Sequence, residues 1–398
     1  MTGPLKHIRV LDLSRIMAGP WAGQILADLG AEVIKVERAG VGDDTRRWGP
    51  PYLKDDTGKE TAESGYYLSV NRGKKSVEID LASPEGQATV KALAATSDIL
   101  LENFKTGTLE RYGLGADDLK AVNPRLIYCS ITGFGQDGPR AKDVAYDFMI
   151  QAMGGLMSVT GAPDDEAGGG PQKVGVPIVD IMTGMYAVIS VLAALAERSE
   201  SGKGDAVDVA MLDVATAMLA NQAMNHLVSG ATPVRRGNKH PNIQPQDVFP
   251  VADGHIVLAV GNDEQFQRFA AAIGLPELAN DARYSTNPQR VNNLADLHPM
   301  ICTQLAQHSL AHWIEVFGEA KVPCGPINTV PMVFADAQVQ HRQMLRDLPH
   351  PLSGTVPSVV SPMRFARSAL SFETPPPLLG EHTDAVLAEL GLNKDDKK

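Results

Sequence analysis

The sequence predicts a doubly wound α/β fold with a mostly parallel sheet, followed by a second, smaller domain. Strand and helix patterns alternate through the first 135 residues, and the strands are apolar on both faces. From Val234 the chain changes to a polar segment rich in Asn, Gln and Pro. Strands that are buried on both faces and separated by helices are typical of parallel sheets, so the alternating part predicts the large domain.

The elements are predicted from apolar periodicity and capping residues. Strands are predicted at 7–13, 31–37, 76–81, 98–104 and 126–131, and helices at 19–29 and from Pro84, with Ser83 as its N-cap. Further helices are predicted at 181–198, at 208–228 and near Thr383, with a strand pair at 248–251 and 255–260. Ligands of parallel sheets collect beyond the carboxyl ends of the strands. Those ends are residues 14–17, 37–38, 103–104 and 132–135.

Composition and charge limit the partners. The 398 residues carry 36 Lys and Arg against 47 Asp and Glu, a net charge of −11, which disfavours broad binding to nucleic acid or an anionic membrane. The longest apolar stretch, 184–196, has about 13 residues, whereas a membrane-spanning helix needs roughly 20. The N-terminus has no signal or transit pattern, and the three cysteines form no CxxC pair. We therefore expect a cytoplasmic protein with no nucleic-acid or membrane partner.

Several familiar cofactor and catalytic motifs are absent from the sequence. The turn after the first strand, 14–20, contains neither GxGxxG nor GxxxxGK[ST], and the chain has no GxSxG and no HExxH. These absences disfavour an NAD enzyme, a P-loop NTPase and a zinc enzyme. We expect neither a metal nor a prosthetic group.

One carboxylate stands inside an apolar run. The segment GVPIVDIMTG at 175–184 places Asp180 between apolar neighbours at the predicted start of a long helix. In one interpretation Asp180 is an N-cap that accepts hydrogen bonds from helix N–H groups, the commonest role of Asp at this position. In the other it is a nucleophile, because a carboxylate with few partners in a dry pocket can attack an activated acyl group. The local pattern by itself favours the cap.

Two clusters of cations lie near predicted strand ends. The first comprises Lys35, Arg38, Arg46 and Arg47 around the glycine turn 40–42, and the second comprises Arg72, Lys74 and Lys75 after Asn71. Such clusters are most often solvated surface. Their position at the strand ends favours contacts with phosphate oxygens, which Arg and Lys suit well.

Ordered motifs run along essentially the whole chain. They are VLDLSRIMAGPWAGQILADLGAEVIKVER at 10–38, GDDTRRWGPP at 42–51, NRGKKSVEIDL at 71–81, ENF at 102–104, YCSITGFGQDGP at 128–139, GVPIVDIMTG at 175–184, PCGPIN at 323–328 and PLLGEHTDAVLAELGL at 377–392. Together they resemble the class III CoA-transferase family, which contains formyl-CoA transferase, carnitine CoA-transferase and α-methylacyl-CoA racemase. This resemblance favours the nucleophile over the cap at Asp180.

The resemblance implies a Rossmann-like large domain built from both chain ends, 1–228 and 326–398, a small α+β domain at 229–325, and an interlocked, ring-like homodimer. The family's nucleophile stands at the position of Asp180 and forms an anhydride and then an aspartyl-CoA thioester. Acyl-CoA and small carboxylic acids are therefore the implied substrates. The implied CoA contacts are Ile16, Met17, Arg38, Val70, Asn71, Arg72, Gly73, Asn103, Phe104, Lys105, Arg111, Val144, Ala145, Tyr146 and Asp147.

Two departures from the family narrow the activity. In the racemase branch a histidine precedes the Asp147 position and accepts the α-proton. Here that residue is Tyr146, and a phenol with an ordinary pKa of about 10 is a poor base at neutral pH. Formyl-CoA transferase has a glycine run where this chain has residues 237–246, which disfavours oxalate as the acceptor.

The segments GDDTRRWGPP, YYLSVNR, YCSITGFGQ, GNKHPNIQPQDVF and DGHIVLAVGNDEQF resemble the branch that moves CoA from succinyl-CoA to dicarboxylates such as glutarate, hydroxymethylglutarate or itaconate. A second carboxylate needs a cation or a fork of donors. We expect it at Arg46, Arg47, Lys239 or His240, for which phosphate contact or plain surface exposure are the alternatives. The alternative activities are an α-methylacyl-CoA racemase and a non-catalytic CoA-binding protein.

Overall fold

The structure is a computed structural model, and it describes residues 2–370 and 372–392. Its strands are β1 (Arg9–Asp12), β2 (Glu32–Glu37), β3 (Tyr52–Lys54), β4 (Glu60–Ser64), β5 (Lys74–Glu78), β6 (Ile99–Glu102), β7 (Ile127–Thr132), β8 (Ala206–Ala210), β9 (Gln246–Val251), β10 (Gly254–Ala259), β11 (Cys324–Pro326), β12 (Leu345–His350) and β13 (Gly354–Val359). Its α-helices are α1 (Ala18–Asp28), α2 (Gly65–Leu68), α3 (Pro84–Ala95), α4 (Ala116–Val122), α5 (Asp147–Met153), α6 (Leu156–Val159), α7 (Ile178–Ser201), α8 (Met211–Met218), α9 (Ala220–Ser229), α10 (Asp263–Ala272), α11 (Asn287–Asn292), α12 (Leu294–Leu305), α13 (Leu310–Glu319), α14 (Val330–Ala335), α15 (Ala337–His341) and α16 (Thr383–Glu389). Short 3-10 segments lie at Asp44–Arg47, Glu110–Tyr112 and Pro276–Ala279.

The central sheet has six parallel strands in the order β5-β2-β1-β6-β7-β8. Successive residues of β1 point to opposite faces of the sheet: Val10 packs with α1 and α7, whereas Leu11 packs with α3 and α4. Both faces are therefore covered by helices, which explains why the strands are apolar on both sides. The predicted mixed α/β fold with a parallel sheet is confirmed, and so is the cap at α3, where Ser83 Oγ accepts from the Gly86 N–H at 2.9 Å.

The last strand of the sheet corrects a prediction. Residues 208–228 were expected to form one long helix, but β8 occupies the start of that segment and pairs in parallel with β7. The remainder divides into α8 and α9 at Ala220, whose φ is +40°. The edge of β7 offers a row of backbone hydrogen-bonding groups, and β8, which contains the β-branched Val207 and Val209, pairs with it, so this pairing overrides the helical pattern that begins at 208.

The chain divides into two compact units. The first comprises Met1–Gly155, Val174–Ala220 and Ala337–Lys398, and the second comprises Leu156–Lys173 and Asn221–Asp336. The division predicted from the sequence placed 221–228 and 326–336 in the large domain, whereas the second unit contains them, and it also kept 156–173 in the large domain. In the structure this segment joins the second unit, because the Gly237 N–H donates to the Gly161 carbonyl at 3.0 Å and the Arg235 guanidinium pairs with Asp164. Residues 393–398 of the predicted large domain lie outside the described residues.

The second unit has its own core. An antiparallel sheet, β11-β10-β9, packs against α10, α12 and α13. Aromatic side chains dominate the packing: Phe249, Phe266, Phe269 and Phe317 are fully buried, and Trp313 donates through its indole N–H to the Leu305 carbonyl at 2.8 Å. The strand pair predicted at 248–251 and 255–260 is confirmed as β9 and β10.

Helix α7 is longer than its apolar stretch predicted. It has 24 residues, and by length and composition it could cross a membrane, so the expectation that this segment is too short for a bilayer does not hold for the helix as a whole. Core helices of soluble proteins meet the same criterion. Ala187, Val188 and Val191 of α7 are buried in the core beside the parallel sheet.

Candidate active site

A cavity of about 220 Å³ lies in the first unit at the carboxyl ends of β1, β6 and β7. Its lining comes from the segments that follow these strands, from the turn before α5 and from the first turn of α7. Of the residues predicted to contact CoA or to react, it brings together Ile16, Met17, Asn103, Phe104, Lys105, Val144, Ala145, Tyr146, Asp147 and Asp180. Residues far apart in the sequence meet here because parallel strands end at one edge of the sheet.

Asp180 does not cap helix α7. Pro177 occupies the N-cap position, and Asp180 is the third helical residue. Asp147 serves as the cap instead: its Oδ2 accepts from the Val179 N–H at 2.8 Å and from the Asp180 N–H at 3.2 Å. The other oxygen of Asp147 accepts from the Gln151 side-chain amide at 2.6 Å. The N-cap interpretation of Asp180 is therefore wrong, because a second acid already satisfies those N–H groups.

The Asp180 carboxylate is partly buried, and within residues 2–370 and 372–392 it has no hydrogen bond or ion pair. Burial, and secondly the negative charge of Asp147, raise the pKa of Asp180 to about 7. A carboxylate without partners is more basic than a solvated one, and it can attack a carbonyl carbon directly. Asp180 is therefore the candidate nucleophile of this cavity.

Tyr66 is a residue that the sequence analysis did not single out. It does not line the cavity, but burial, and then the negative charges of Asp180 and Asp147, raise the pKa of its phenol to about 12. Its ring packs edge-on against Trp48, with centroids 5.0 Å apart. In the sequence Tyr66 is marked only by its place in the family-like segment YYLSVNR at 66–72. Tyr66 and Trp48 carry no charge at neutral pH, so a search for charged residues does not find them.

Of the exposed cations among the predicted CoA contacts, Arg38 and Arg111 lie outside the cavity lining, whereas Lys105 lines it. Arg38 is 56% exposed at its side chain and approaches Asp44 at 3.8 Å. Arg111 is exposed in the 3-10 segment after β6, and Lys105 is exposed where it lines the cavity, as Arg15 also does. All three are accessible to a ligand, and their contact with CoA phosphates stays a prediction.

The predicted contact segment 70–73 does not line this cavity. Val70 and Asn71 are fully buried, and the Asn71 amide donates to the Tyr67 carbonyl at 3.0 Å. The Arg72 guanidinium holds Asp28 at 2.7 Å and donates to the Val359 carbonyl, and Gly73 lines a different cavity. The side chains of Asn71 and Arg72 are therefore used by internal partners, and the contact of this segment with CoA stays a prediction.

Arg46 cannot hold a substrate carboxylate. Its guanidinium is buried, pairs with Glu37 at 2.8 Å and with Glu63 at 2.9 Å, and donates further to the Tyr67 hydroxyl and the Pro377 carbonyl. Its plane lies over the Tyr67 ring at 3.7 Å. No donor is left over, so the prediction for Arg46 is wrong.

The other three candidates for the distal carboxylate are placed as follows. Arg47 is exposed in the first unit. Lys239 and His240 belong to the second unit, where Lys239 lies 3.9 Å from Glu166. His240 Nδ1 accepts from the Asn242 and Ile243 N–H groups at 3.1 Å each, so it stabilises its own turn.

At the ends of its parallel strands the first unit carries a carboxylate that has no bonded partner in the described part of the chain, and such a group suits nucleophilic group transfer. The family model of CoA-transferase family III matches residues 5–383. The chain therefore belongs to this family, and it is a CoA-transferase.

Relatives and a solved structure agree with this assignment. The chain is 48% identical over 387 residues to a succinate–glutarate CoA-transferase of Agrobacterium fabrum. The matched region covers 97% of this chain and 96% of that protein. It is 41% identical over 395 residues to the succinyl-CoA:glutarate CoA-transferase of Homo sapiens, with coverage of 99% and 87%. The crystal structure of a CAIB/BAIF family protein from Brucella suis is similar at a TM-score of 0.85 and 46% identity, covering 98% of this chain and 100% of that one.

The pKa of Asp180 leads to a testable pH dependence. If the ionised carboxylate is the reacting form, kcat/KM should fall roughly tenfold per pH unit below about pH 7 and level off above it. The measurement is kcat/KM for transfer between pH 5 and pH 9, with separate checks that the protein stays folded.

The variant Asp147→Asn tests the cause of that profile. Asn keeps an oxygen that can accept from the Val179 N–H, but it removes the negative charge beside Asp180. We expect the midpoint of the acid limb to move to lower pH. A midpoint near the ordinary aspartate value in the unmodified protein, with no shift in the variant, would contradict the assignment of Asp180 as the titrating group.

Proposed function

We propose that the protein transfers CoA from succinyl-CoA to a dicarboxylic acid and that glutarate is the acceptor. The observation that carries this proposal is the unpartnered carboxylate of Asp180 in a cavity at the strand ends. The names of the relatives from Agrobacterium fabrum and Homo sapiens support the choice of the two acids.

The reaction begins with two exchanges at Asp180. A carboxylate oxygen of Asp180 attacks the thioester carbonyl of succinyl-CoA, the C–S bond breaks, and CoA leaves as a thiolate from a mixed anhydride. The thiolate then attacks the Asp180 carbonyl of that anhydride, which releases succinate and leaves an aspartyl-CoA thioester. No proton is gained or lost in these steps, so the site needs no general base.

Two further exchanges complete the transfer. A carboxylate of glutarate attacks the aspartyl-CoA carbonyl, which expels the thiolate and forms a second anhydride. The thiolate attacks the glutaryl carbonyl, so that glutaryl-CoA forms and the Asp180 carboxylate returns. Water must be kept from these intermediates, and the apolar neighbours Val179 and Ile181 on the same helical turn favour its exclusion.

The test is a mass-spectrometric assay of succinyl-CoA against glutarate, itaconate, hydroxymethylglutarate and a monocarboxylate. We expect glutaryl-CoA and free succinate in equal amounts. Formation of another thioester with no glutaryl-CoA would contradict glutarate as acceptor. Incorporation of solvent deuterium at the α-carbon of a branched acyl-CoA, without any acceptor acid, would instead favour a racemase. The exposed phenol of Tyr146, at the position of the racemase histidine, disfavours that activity.

The homodimer implied by the family and the cytoplasmic location expected from the sequence stay predictions. Light scattering on the purified protein measures the first.

A further inference from the structure

The segment between β1 and α1 has an uncommon backbone conformation. Ile16, which lines the Asp180 cavity, has φ of +74°. This is the left-handed region, which β-branched residues rarely adopt because their side chains clash there. Such a conformation persists only where the surrounding structure imposes it, and it is concentrated at binding and catalytic sites.

Asp43 imposes this conformation from one side. Both oxygens of its carboxylate accept from the Ile16 N–H at 3.2 Å, and Oδ1 also accepts from the Thr45 N–H at 3.0 Å. The Asp43 side chain is fully buried, as is that of Lys35, whose ammonium lies 2.9 Å from Oδ2. The same ammonium donates to the Ser14 carbonyl at 2.8 Å. Lys35 therefore links Asp43 to the segment that Asp43 holds.

Asn103 holds the segment from the other side. Its Oδ1 accepts from the Arg15 N–H at 2.8 Å, and its Nδ2 donates to the Arg15 carbonyl at 2.7 Å. The backbone groups of Ser14, Arg15 and Ile16 are thus bonded to side chains from β2, from the turn after it and from the end of β6. Burial opposes ionisation of Asp43, but the charge of Lys35 and the hydrogen bonds from Thr45 and Lys35 together outweigh it and lower the pKa of Asp43 to about 2, so the carboxylate stays charged over the working pH range.

We propose that Asp43 and Lys35 are positioning residues for the acyl-CoA substrate, because they hold Ile16 in the left-handed conformation that shapes the wall of the Asp180 cavity. Neither residue lines the cavity, so both act through the backbone of the segment 14–17. The inference rests on the proposed function only in taking acyl-CoA as the ligand.

The first test is Asp43→Asn. Asn has the size of Asp but only one acceptor oxygen, so its amide group must face the Lys35 ammonium or the Thr45 N–H, both of which are donors. We expect the KM for succinyl-CoA to rise roughly 10- to 100-fold through misplacement of the segment, with a smaller change in kcat. The Kd of free CoA, measured by calorimetry, should rise in parallel.

Asp98→Asn is the matched control. Asp98 likewise accepts from a backbone N–H, that of Arg9 at 2.9 Å, and pairs with a buried cation, Arg198 at 2.9 Å. It stands just before β6, at the amino edge of the same sheet and away from the cavity. We expect it to lower the melting temperature while leaving the KM for succinyl-CoA unchanged. Equal effects of the two variants on KM would overturn the inference.

A double-variant cycle separates positioning from stability. Glycine adopts positive φ without a steric penalty, so Ile16→Gly removes the need for Asp43 to impose the conformation. We expect Asp43→Asn to raise KM less in the Ile16→Gly background than alone, and an equal rise in both would contradict the proposal. If Asp43→Asn alone is insoluble, Asp43→Asn combined with Lys35→Met, which leaves no buried cation unpaired, takes its place in the cycle, and a KM for succinyl-CoA equal to that of the unmodified protein contradicts the proposal.

The two proposals fail separately. If the unmodified protein makes no glutaryl-CoA, the proposed function fails, while the calorimetric comparison of CoA affinities still decides the role of Asp43. If transfer is normal and Asp43→Asn binds CoA like the unmodified protein, only the positioning role fails.

Discussion

Asp180→Asn is expected to lower the rate of CoA transfer by roughly 10⁴-fold or more, the loss typical of removing a nucleophile. Asn has nearly the same shape but cannot form the anhydride. Because the Asp180 carboxylate has no bonded partner among the described residues, the variant should remain folded. The measurement is the initial rate of glutaryl-CoA formation.

The same variant should be more stable than the unmodified protein above pH 7. The pKa of Asp180 is about 7 in the folded protein against an ordinary value of 3.8, so its ionisation destabilises the fold progressively between these values and fully above pH 7. Allowing for solvent screening of a partly buried group, we expect a gain of about 2 kcal/mol in the free energy of unfolding at pH 8, which disappears near pH 4.

Asp213→Asn is the control for both measurements. Asp213 also stands in the first turn of a helix, α8, but it is exposed. Its replacement should leave activity and stability nearly unchanged.

Hydroxylamine added during turnover should trap Asp180 as a hydroxamate that peptide mass spectrometry detects. Full transferase activity in Asp180→Asn would exclude the nucleophile role.

Arg46→Met should lower the free energy of unfolding by about 3–5 kcal/mol, the usual effect of removing one member of a buried ion pair. The Arg46 guanidinium lies 2.8 Å from the Glu37 carboxylate and 2.9 Å from that of Glu63, and the substitution leaves both carboxylates buried without their cation. It also removes the contact of the guanidinium with the Tyr67 ring. Urea unfolding at pH 7 measures the loss.

Arg47→Met is the neighbouring control, because Arg47 is exposed and should change stability by less than about 0.5 kcal/mol. The double variant Arg46→Met with Glu63→Gln should recover part of the loss, since one unpaired charge disappears. If Arg46→Met left stability unchanged and raised the KM for glutarate, the carboxylate-binding role first predicted for Arg46 would be reinstated.

Much of the first unit could be predicted because its signals are local. Strands buried on both faces carry continuous apolar runs, and a Ser-Pro pair starts α3 in the expected way. The carboxyl ends of those strands are then known, and with them the edge of the sheet where the cavity lies. The local pattern around Asp180 favours an N-cap. Only the family resemblance predicted that Asp180 acts as a nucleophile.

Other features depended on partners that are distant in the sequence. The segment before α8 became a strand because β7 offered an edge, and the capping of α7 by Asp147 spans 33 residues to Asp180. Arg46 and Arg38 belong to one cation cluster in the sequence, yet Arg46 is enclosed by carboxylates and Arg38 is exposed.

The sequence by itself determined the parallel α/β unit, the sheet edge that holds the cavity and, by resemblance, the family and the candidate nucleophile. The tertiary structure alone decided which charges are free to act. Among the described residues Asp180 is left without a partner, whereas Asp43 binds Lys35 and the Ile16 backbone, and Arg46 binds two acids. The physical reason is that a charge acts on a ligand only when no buried partner neutralises it, and that depends on which side chains the fold brings together.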